Sequence, residues 1–188
     1  TAADGGGRDA DANDPGDWST SSDSCGAGDS SWHGTQVAGL IGAATDNGIG
    51  MAGVGRQVKL LPVRVIGKCG GYDDDIIAGM RWAAGLGSDP VANPHPAQVL
   101  NLSLGGSGSC GTTGTGGLYR EVITQVNAAG ATIVVAAGNS AGLSVGLPGN
   151  CPGVVTVTAL RHVGTKVGFS SIGSDVTIAA PGGNCINI

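Results

Sequence analysis

Aromatic and charged side chains are scarce in this sequence. Aromatic residues make up 3% and charged residues 12% of its 188 positions, so Val, Ile, Leu and Ala must build the core. Basic residues are few as well, since nine Lys and Arg stand against fourteen Asp and Glu and give a net charge of −5. A basic surface for nucleic acid is thereby excluded, and we expect no nucleic-acid partner.

Long apolar runs are also missing. The longest run, at residues 131–137, is far shorter than the roughly 20 residues that span a bilayer, so we expect no membrane partner. Glycine, in contrast, is abundant: 37 residues without a three-residue period exclude collagen and indicate many tight turns. With 40% hydrophobic residues and a mean hydropathy of +0.16, the chain is expected to form one globular domain. We also expect a monomer.

Helical and strand patterns alternate after an acidic start. Seven of the acidic residues lie in the first 29 positions, so residues 1–30 are predicted to form an acidic loop region and residues 31–188 an α/β core. Apolar spacing predicts helices that begin at His33 and Asp73, and a third helix over 118–129 that Gly130 ends. Apolar runs predict strands at 58–66, 99–104, 131–137, 154–157 and 176–179. This order predicts an α/β fold with a doubly wound, mostly parallel sheet and helices on both faces, whose chemistry lies at the carboxyl ends of the strands.

Three features stand where such a fold places chemistry. His33 begins a helix, where the dipole favours a neutral imidazole that can accept a proton; the alternative is a core histidine with a satisfied ring. Asn139 follows an apolar strand, where its amide can donate to developing negative charge; the alternative is an ordinary turn residue. The segment 101–106 runs from a strand into glycines and can leave an edge open to an extended peptide.

These features belong to a set of six ordered motifs. They are His-Gly-Thr-Gln-Val-Ala-Gly at 33–39, Pro-Val-Arg-Val at 62–65, Asn-Leu-Ser-Leu-Gly-Gly at 101–106, Ala-Ala-Gly-Asn at 136–139, Phe-Ser-Ser-Ile-Gly at 169–173 and Ala-Pro-Gly at 180–182. Their order and spacing resemble the subtilisin-like serine protease family, and the cysteine-containing loops look closest to its extracellular bacterial members. The resemblance implies a secreted serine endopeptidase that acts on protein or peptide substrates and needs no cofactor for catalysis.

The resemblance also assigns roles. It implies that His33 is the general base and that Asn139 is the side-chain donor of the oxyanion hole. It implies that the substrate-binding backbone comprises Cys69, Gly70, Gly71, Ser103, Leu104, Gly105, Ala137 and Gly138. Gly146 matches the floor of the primary specificity pocket, and a glycine there leaves the pocket deep and uncharged. We therefore expect cleavage after large uncharged residues.

The sequence departs from the family pattern in three places. Gln36 stands where the family has a second histidine, which is not a catalytic position. Neither the Asp-Ser/Thr-Gly motif of the triad aspartate nor the Gly-Thr-Ser-Met motif of the nucleophile occurs. We therefore expect the central part of a peptidase domain, truncated at both ends and inactive alone. The alternative is an inactive, protease-like module that binds peptides. A plain ligand-binding domain would need a G-x-G-x-x-G after a strand with an acidic residue about 20 positions on, and that combination is absent.

Five cysteines without a Cys-x-x-Cys pair favour disulfides in an exported protein over a zinc site. Their spacing alone leaves every pairing open. Under the resemblance, Cys69 and Cys110 each follow a strand that enters a substrate-binding segment. We therefore predict the bridges Cys69–Cys110 and Cys151–Cys185, with Cys25 left over.

The acidic start contains a candidate metal site. Asp9, Asp11 and Asp14 alternate with other residues as the oxygen ligands of a calcium loop do, so we predict a structural calcium site there. The loop lacks the turn glycine and the closing glutamate of an EF-hand. The alternative is a solvated acidic loop.

Overall fold

The computed structural model describes residues 7–88 and 91–183. Within these residues it contains three helices and four strands: α1 (His33–Gly42), α2 (Asp73–Ala83), β1 (Val99–Leu102), α3 (Gly114–Ala128), β2 (Thr132–Ala136), β3 (Val155–Leu160) and β4 (Ile178–Pro181). The described residues form two compact units, one of residues 7–83 with 87–88 and 91–93 and one of residues 84–86 with 94–183. None of the helices in the described ranges has the length and apolar character needed to cross a bilayer.

The second unit is built on a parallel sheet. Its four described strands follow one another in the order β1-β2-β3-β4, and every neighbouring pair is parallel. Their central side chains are apolar and buried, as Ile133 and Val135 on β2 show. The predicted α/β class with a parallel sheet is confirmed.

Helix α3 covers part of this sheet by packing on β2. Its buried side chains recur at helical spacing: Tyr119, Val122, Ile123 and Val126. Full burial of an aliphatic side chain of this size is worth about 1.5–3 kcal/mol, so this stripe fixes the helix to the strand. Gly130 follows the helix with a φ of 89°, as the sequence predicts for a residue just past a helix end.

The first unit contains α1 and α2. Helix α2 begins at Asp73 and buries four apolar residues, namely Ile76, Ile77, Met80 and Ala83, in agreement with the sequence pattern. Gly79 allows the segment 63–65 to pack closely, because a Cβ there would lie 2.6 Å from Val65 Cγ1. Helix α1 begins at His33 as predicted, but none of its residues is buried. Leu40 is 58% exposed, so the apolar spacing that predicts α1 does not correspond to a buried stripe in the described chain.

The predicted strand at 58–66 is also wrong. These residues lie in the first unit and have no strand assignment and no ladder partner among the described residues. Val58 is 50% and Leu60 44% exposed, whereas a central parallel strand is buried on both faces. A strand exists only through a hydrogen-bonded neighbour, and an apolar run of sequence does not reveal whether that neighbour is present.

Two disulfides form, as predicted, but both predicted pairings are wrong. Cys25 bonds to Cys69 and Cys110 bonds to Cys151, with Cα–Cα distances of 5.3 and 5.0 Å. The prediction assumed that Cys69 and Cys110 each follow a strand, whereas Cys69 follows no strand of the described chain and lies in a turn of the first unit, and Cys110 lies in the second unit. Cys185 lies outside the described residues.

Candidate active site

Helix α1 presents His33 at its first residue. Trp32 precedes it with a φ of 51° and gives no side-chain cap. Ser31 takes over the capping, because its hydroxyl oxygen accepts a hydrogen bond of 3.3 Å from the His33 backbone N–H. Gln36 Nε2 donates to the Ser31 carbonyl over 3.0 Å and closes the first turn from the other side. The helix start is therefore set by Ser31.

Ser31 is held in turn by Asp17. One carboxylate oxygen accepts from the Ser31 N–H over 2.6 Å, and the other accepts from the Ser31 hydroxyl over 2.7 Å. These hydrogen bonds, that of the hydroxyl first, hold the pKa of the Asp17 carboxyl below its ordinary value. Asp17 thus stays ionised and fixes the point at which α1 begins.

The His33 side chain itself is exposed. Its ring makes no hydrogen bond within the described residues. The alternative reading of His33 as a core histidine with a satisfied ring is therefore excluded. An exposed imidazole on a fixed helix start can accept a proton from a group that approaches it.

In the second unit, two predicted segments emerge side by side. Strands β1 and β2 are parallel neighbours, with Leu102 opposite Val135 near their ends. Residues 103–105 continue from β1 and residues 137–139 continue from β2. Because carboxyl ends of parallel strands meet at one edge of a sheet, these segments share that edge.

The segment 103–105 leaves backbone groups available. Neither Ser103, Leu104 nor Gly105 forms a backbone hydrogen bond with any part of the chain that the structure describes. The strand before them, β1, pairs only on its β2 side in the described sheet. An extended peptide could therefore pair with this segment by adding as a further strand.

Asn139 lies at the tip of the neighbouring segment. Ala137 still follows the sheet, since its N–H donates to the Val157 carbonyl over 2.9 Å. Gly138 then turns the chain away with a φ of 102°. Asn139 is exposed, and its side chain makes no hydrogen bond to the described residues, so its amide is free to donate.

Gly146 lies directly against the end of the 103–106 segment. The Gly106 N–H donates to the Leu147 carbonyl over 2.8 Å, and a Cβ on Gly146 would clash with the Gly106 carbonyl oxygen. Asn150 Nδ2 ties the same two stretches by donating to the Gly108 carbonyl over 2.8 Å. The disulfide Cys110–Cys151 links these two stretches covalently. The predicted pocket floor and one predicted binding segment are thus neighbours.

The remaining predicted binding segment needs a correction. Gly67 and Gly70 exchange both backbone hydrogen bonds, at 3.0 and 3.1 Å, and Cys69 and Gly70 have φ values of 62° and 114°. Residues 67–70 therefore form a tight turn, which leaves Gly70 no free N–H or carbonyl for a substrate strand. We therefore no longer count Gly70 as a binding residue, whereas binding by Cys69 and Gly71 stays a prediction beside the candidate main-chain binding segments 103–105 and 137–139.

The candidate calcium residues are not gathered. An oxygen of Asp9, Asp11 and Asp14 each accepts from the backbone N–H two residues later, at 2.7, 2.9 and 3.0 Å. Among the described residues, no three acidic, His or Cys side chains are placed to hold a metal ion. These carboxylates are not gathered in the described residues, and a calcium site in this loop stays a prediction.

The sequence pattern did not predict two features that support the candidate site. Asp17 acts on Ser31 across 14 positions, a spacing that no local motif reveals. Ser170 and Ser171 are 2% and 1% exposed although serine is mostly a surface residue. Both serines belong to the motif Phe-Ser-Ser-Ile-Gly, which the sequence analysis identified without assigning it a function.

Two extracellular proteases are similar to this chain in sequence. An extracellular protease of Xanthomonas campestris pv. campestris is 45% identical over 193 residues, covering 100% of this chain and 32% of that protein. An extracellular basic protease of Dichelobacter nodosus is 44% identical over 195 residues, covering 99% of this chain and 32% of that protein. The chain thus spans about a third of the length of these relatives.

A solved structure and a family model match as well. The structure of a protease from Pseudoalteromonas arctica PAMC 21717 superposes with a TM-score of 0.86 at 47% identity, covering 95% of this chain and 52% of that one. The model described as the subtilase family matches residues 5–188. A family match over nearly the whole sequence, together with the parallel sheet and the placement of His33 and Asn139, leads to one conclusion: this chain belongs to the subtilase family.

Proposed function

We propose that this chain provides the general base, the oxyanion donor and the main-chain binding surface of a secreted serine endopeptidase. The observation that carries the proposal is the shared sheet edge from which residues 103–105 and 137–139 emerge. That edge combines free backbone groups with an exposed amide donor, which is what a peptide-cleaving site needs. Protein or peptide substrates follow from this chemistry.

In the proposed mechanism, His33 takes the proton of a serine hydroxyl as that serine attacks the peptide carbonyl. It then returns the proton to the leaving amine. The carbonyl oxygen becomes negatively charged in the tetrahedral intermediate, and Asn139 Nδ2 donates a hydrogen bond to it. No metal ion or organic cofactor is needed for this acyl transfer.

The chain alone is proposed to be inactive. It contains neither an Asp-Ser/Thr-Gly nor a Gly-Thr-Ser-Met motif. Without a nucleophile His33 has nothing to activate, and without a carboxylate partner the tautomer of its ring is not fixed. The exposed, unpartnered ring of His33 is in keeping with this proposal.

Substrate preference is proposed to come from backbone pairing and from Gly146. Pairing to residues 103–105 ignores most substrate side chains, so specificity should be broad. The pocket floor at Gly146 carries no charge, and the nearest acidic residues in sequence are Glu121 and Asp175. Large uncharged residues are therefore expected just before the cut, rather than Arg or Lys.

Secretion is part of the proposal. Both curated relatives are named extracellular proteases, and the two disulfides of this chain persist in oxidising compartments. Calcium is not part of it, because Asp9, Asp11 and Asp14 are not arranged as ligands.

The test is a chimera in which residues 1–188 replace the matching segment of the Xanthomonas campestris protease. The chimera should cleave a fluorogenic peptide and react with a fluorophosphonate serine probe, whereas the chain alone should do neither. His33→Ala should abolish turnover, and His162→Ala, an exposed loop histidine, should leave it unchanged. Asn139→Ala should lower kcat by about 10²–10³, the range that loss of this kind of donor costs in subtilisin.

Hydrolysis by the chain alone, with the probe attached to an internal serine such as Ser103, would contradict the proposal. Full activity of the His33→Ala chimera would equally contradict the role given to His33. A second candidate, an inactive peptide-binding module, is favoured by the absence of both triad motifs from the sequence. That candidate requires an inactive chimera together with saturable binding of an extended peptide by the 188-residue chain.

A further inference from the structure

The loop that carries Asn139 is bound along its length to the segment 169–171. The N–H groups of Ala141 and Gly142 donate to the Phe169 and Ser170 carbonyls over 2.8 and 3.0 Å. Two further hydrogen bonds join Gly138 and Ser140 to Ser171. The motif Phe-Ser-Ser-Ile-Gly, which has no role in the mechanism above, thus backs the proposed oxyanion donor.

Ser171 holds both neighbours of Asn139. Its N–H donates to the Gly138 carbonyl over 2.9 Å, and its hydroxyl oxygen accepts from the Ser140 N–H over 3.1 Å. Asn139 is therefore the single residue between two anchored ones. Its exposed side chain has no other support from the described residues.

Ser171 is itself anchored to strand β3. The Thr158 hydroxyl donates to the Ser171 carbonyl over 2.8 Å. Ser170 Oγ lies 2.8 Å from Thr158 Oγ1 and accepts from the Ala159 N–H over 3.0 Å. Ser170 Oγ also lies 3.3 Å from the Ser171 carbonyl oxygen, so either hydroxyl can donate between Ser170 and Thr158. These contacts connect strand β3, through Ser170 and Ser171, to the loop that carries Asn139.

The burial of these hydroxyls indicates a purpose beyond packing. Thr158, Ser170 and Ser171 are 8%, 2% and 1% exposed. Buried polar groups stabilise little when they are satisfied and cost much when one partner is lost, so such networks mainly specify geometry. Gly138 leaves room for this contact, because a Cβ there would lie 3.2 Å from Ser171 Oγ.

We propose that Ser171 is the positioning residue that sets the direction of the Asn139 amide in the oxyanion hole. This inference rests on the proposed function, since it assigns a partner to the proposed donor. Catalytic hydrogen bonds must be aimed at the place where charge develops, and misplacement by about 1 Å can cost about 10² in rate. Ser171 touches no reacting atom and acts only through the backbone on either side of Asn139.

The first experiment uses the 188-residue chain and does not depend on activity. In the unmodified chain, the exposed residue Ser140 should nevertheless have an amide that exchanges slowly with solvent by NMR, because Ser171 Oγ accepts it. Ser171→Ala should speed this exchange by about tenfold or more, as loss of one net hydrogen bond implies. The amide of Gly142, which donates to the Ser170 carbonyl, should keep its rate. Unprotected exchange at Ser140 in the unmodified chain would overturn the proposal even if the variant failed to fold.

The second experiment is a double-mutant cycle in the chimera. Ser171→Ala should lower kcat about tenfold with KM unchanged, whereas Ser174→Ala, at an exposed serine, should change neither. In the Asn139→Ala background, Ser171→Ala should change kcat by less than about twofold, because its route of action is gone. A tenfold loss that persists in that background would mean a general structural role and would overturn the inference. If Asn139→Ala itself had no effect, the proposed function would fail, while the Ser140 exchange result would still stand.

Discussion

Gly146→Ala is the substitution whose cost the structure defines most directly. A Cβ at this position would clash with the Gly106 carbonyl oxygen and lie 3.1 Å from its carbon. The two backbone segments cannot simply move apart, because the Gly106 N–H bonds to the Leu147 carbonyl and Cys110–Cys151 ties the loops that follow. The added methyl group therefore meets the backbone of residues 106 and 107.

The magnitude follows from these contacts. Overpacking by one methyl group costs about 1–3 kcal/mol, and loss of the Gly106–Leu147 hydrogen bond would add about 0.5–1.5 kcal/mol. Together they predict that Gly146→Ala lowers the free energy of unfolding by about 3 kcal/mol. Urea denaturation of the 188-residue chain, followed by circular dichroism, measures this directly.

Gly111→Ala is the matched control. It lies in the same unit, and a Cβ there would meet nothing closer than the Thr113 backbone at 3.9 Å. Its cost should stay within about 0.5 kcal/mol. In the chimera, Gly146→Ala should also reduce cleavage after large residues more than cleavage after Ala, because relief of the clash displaces the backbone at the floor of the proposed pocket. Equal stability of the two variants together with an unchanged preference would refute the close approach of Gly146 to Gly106.

Two further predictions concern the disulfide Cys110–Cys151 and the ion pair Asp23–Lys68. Replacing both Cys110 and Cys151 by Ala opens a loop with a sequence separation of 41. The chain-entropy relation predicts that the free energy of unfolding falls by about 4 kcal/mol, which urea denaturation measures against the oxidised chain. A decrease below about 1 kcal/mol would contradict this prediction. The Lys68 ammonium beside Asp23, together with hydrogen bonds from Thr20, lowers the pKa of that carboxyl from 3.8 to about 2. Because the pKa of Asp23 is lower in the folded state, its carboxylate stabilises the fold above pH 3.8 and loses this contribution as the pH falls towards 2. In an acid titration, Asp23→Asn should therefore flatten the decline in the free energy of unfolding over that interval. An unchanged decline would contradict the pairing of Asp23 with Lys68.

The helices and the parallel sheet were predictable because their signals are local. Helix α1 begins at His33 and α2 at Asp73, as apolar spacing and first-turn acids indicate. The strand predicted at 58–66 failed because a strand depends on a neighbour that may be far along the chain. The same limit explains the cysteine pairings, since spacing does not show that Cys69 sits in a turn with Cys25 as its neighbour.

The candidate site divides in the same way. Periodicity places His33 at a helix start and Asn139 after a strand, while the roles proposed for them come from the resemblance to the subtilisin-like family. The residues that hold them could not be predicted. Asp17 reaches Ser31, and Ser171 reaches Ser140, across 14 and 31 positions. Contacts of this kind depend on how loops return in space, which periodicity does not encode.

The composition of the chain fits a site made mainly of backbone. Gly146 lies against the Gly106 carbonyl, and Gly149 approaches the end of β2 so closely that a Cβ would lie 3.3 Å from the Ala136 carbonyl. Such approaches are open only to residues without a side chain, which gives the abundant glycine a use at the sheet edge. A surface of N–H and carbonyl groups recognises what all peptides share. We therefore expect broad cleavage in the proposed enzyme, with selectivity from the proposed pocket at Gly146.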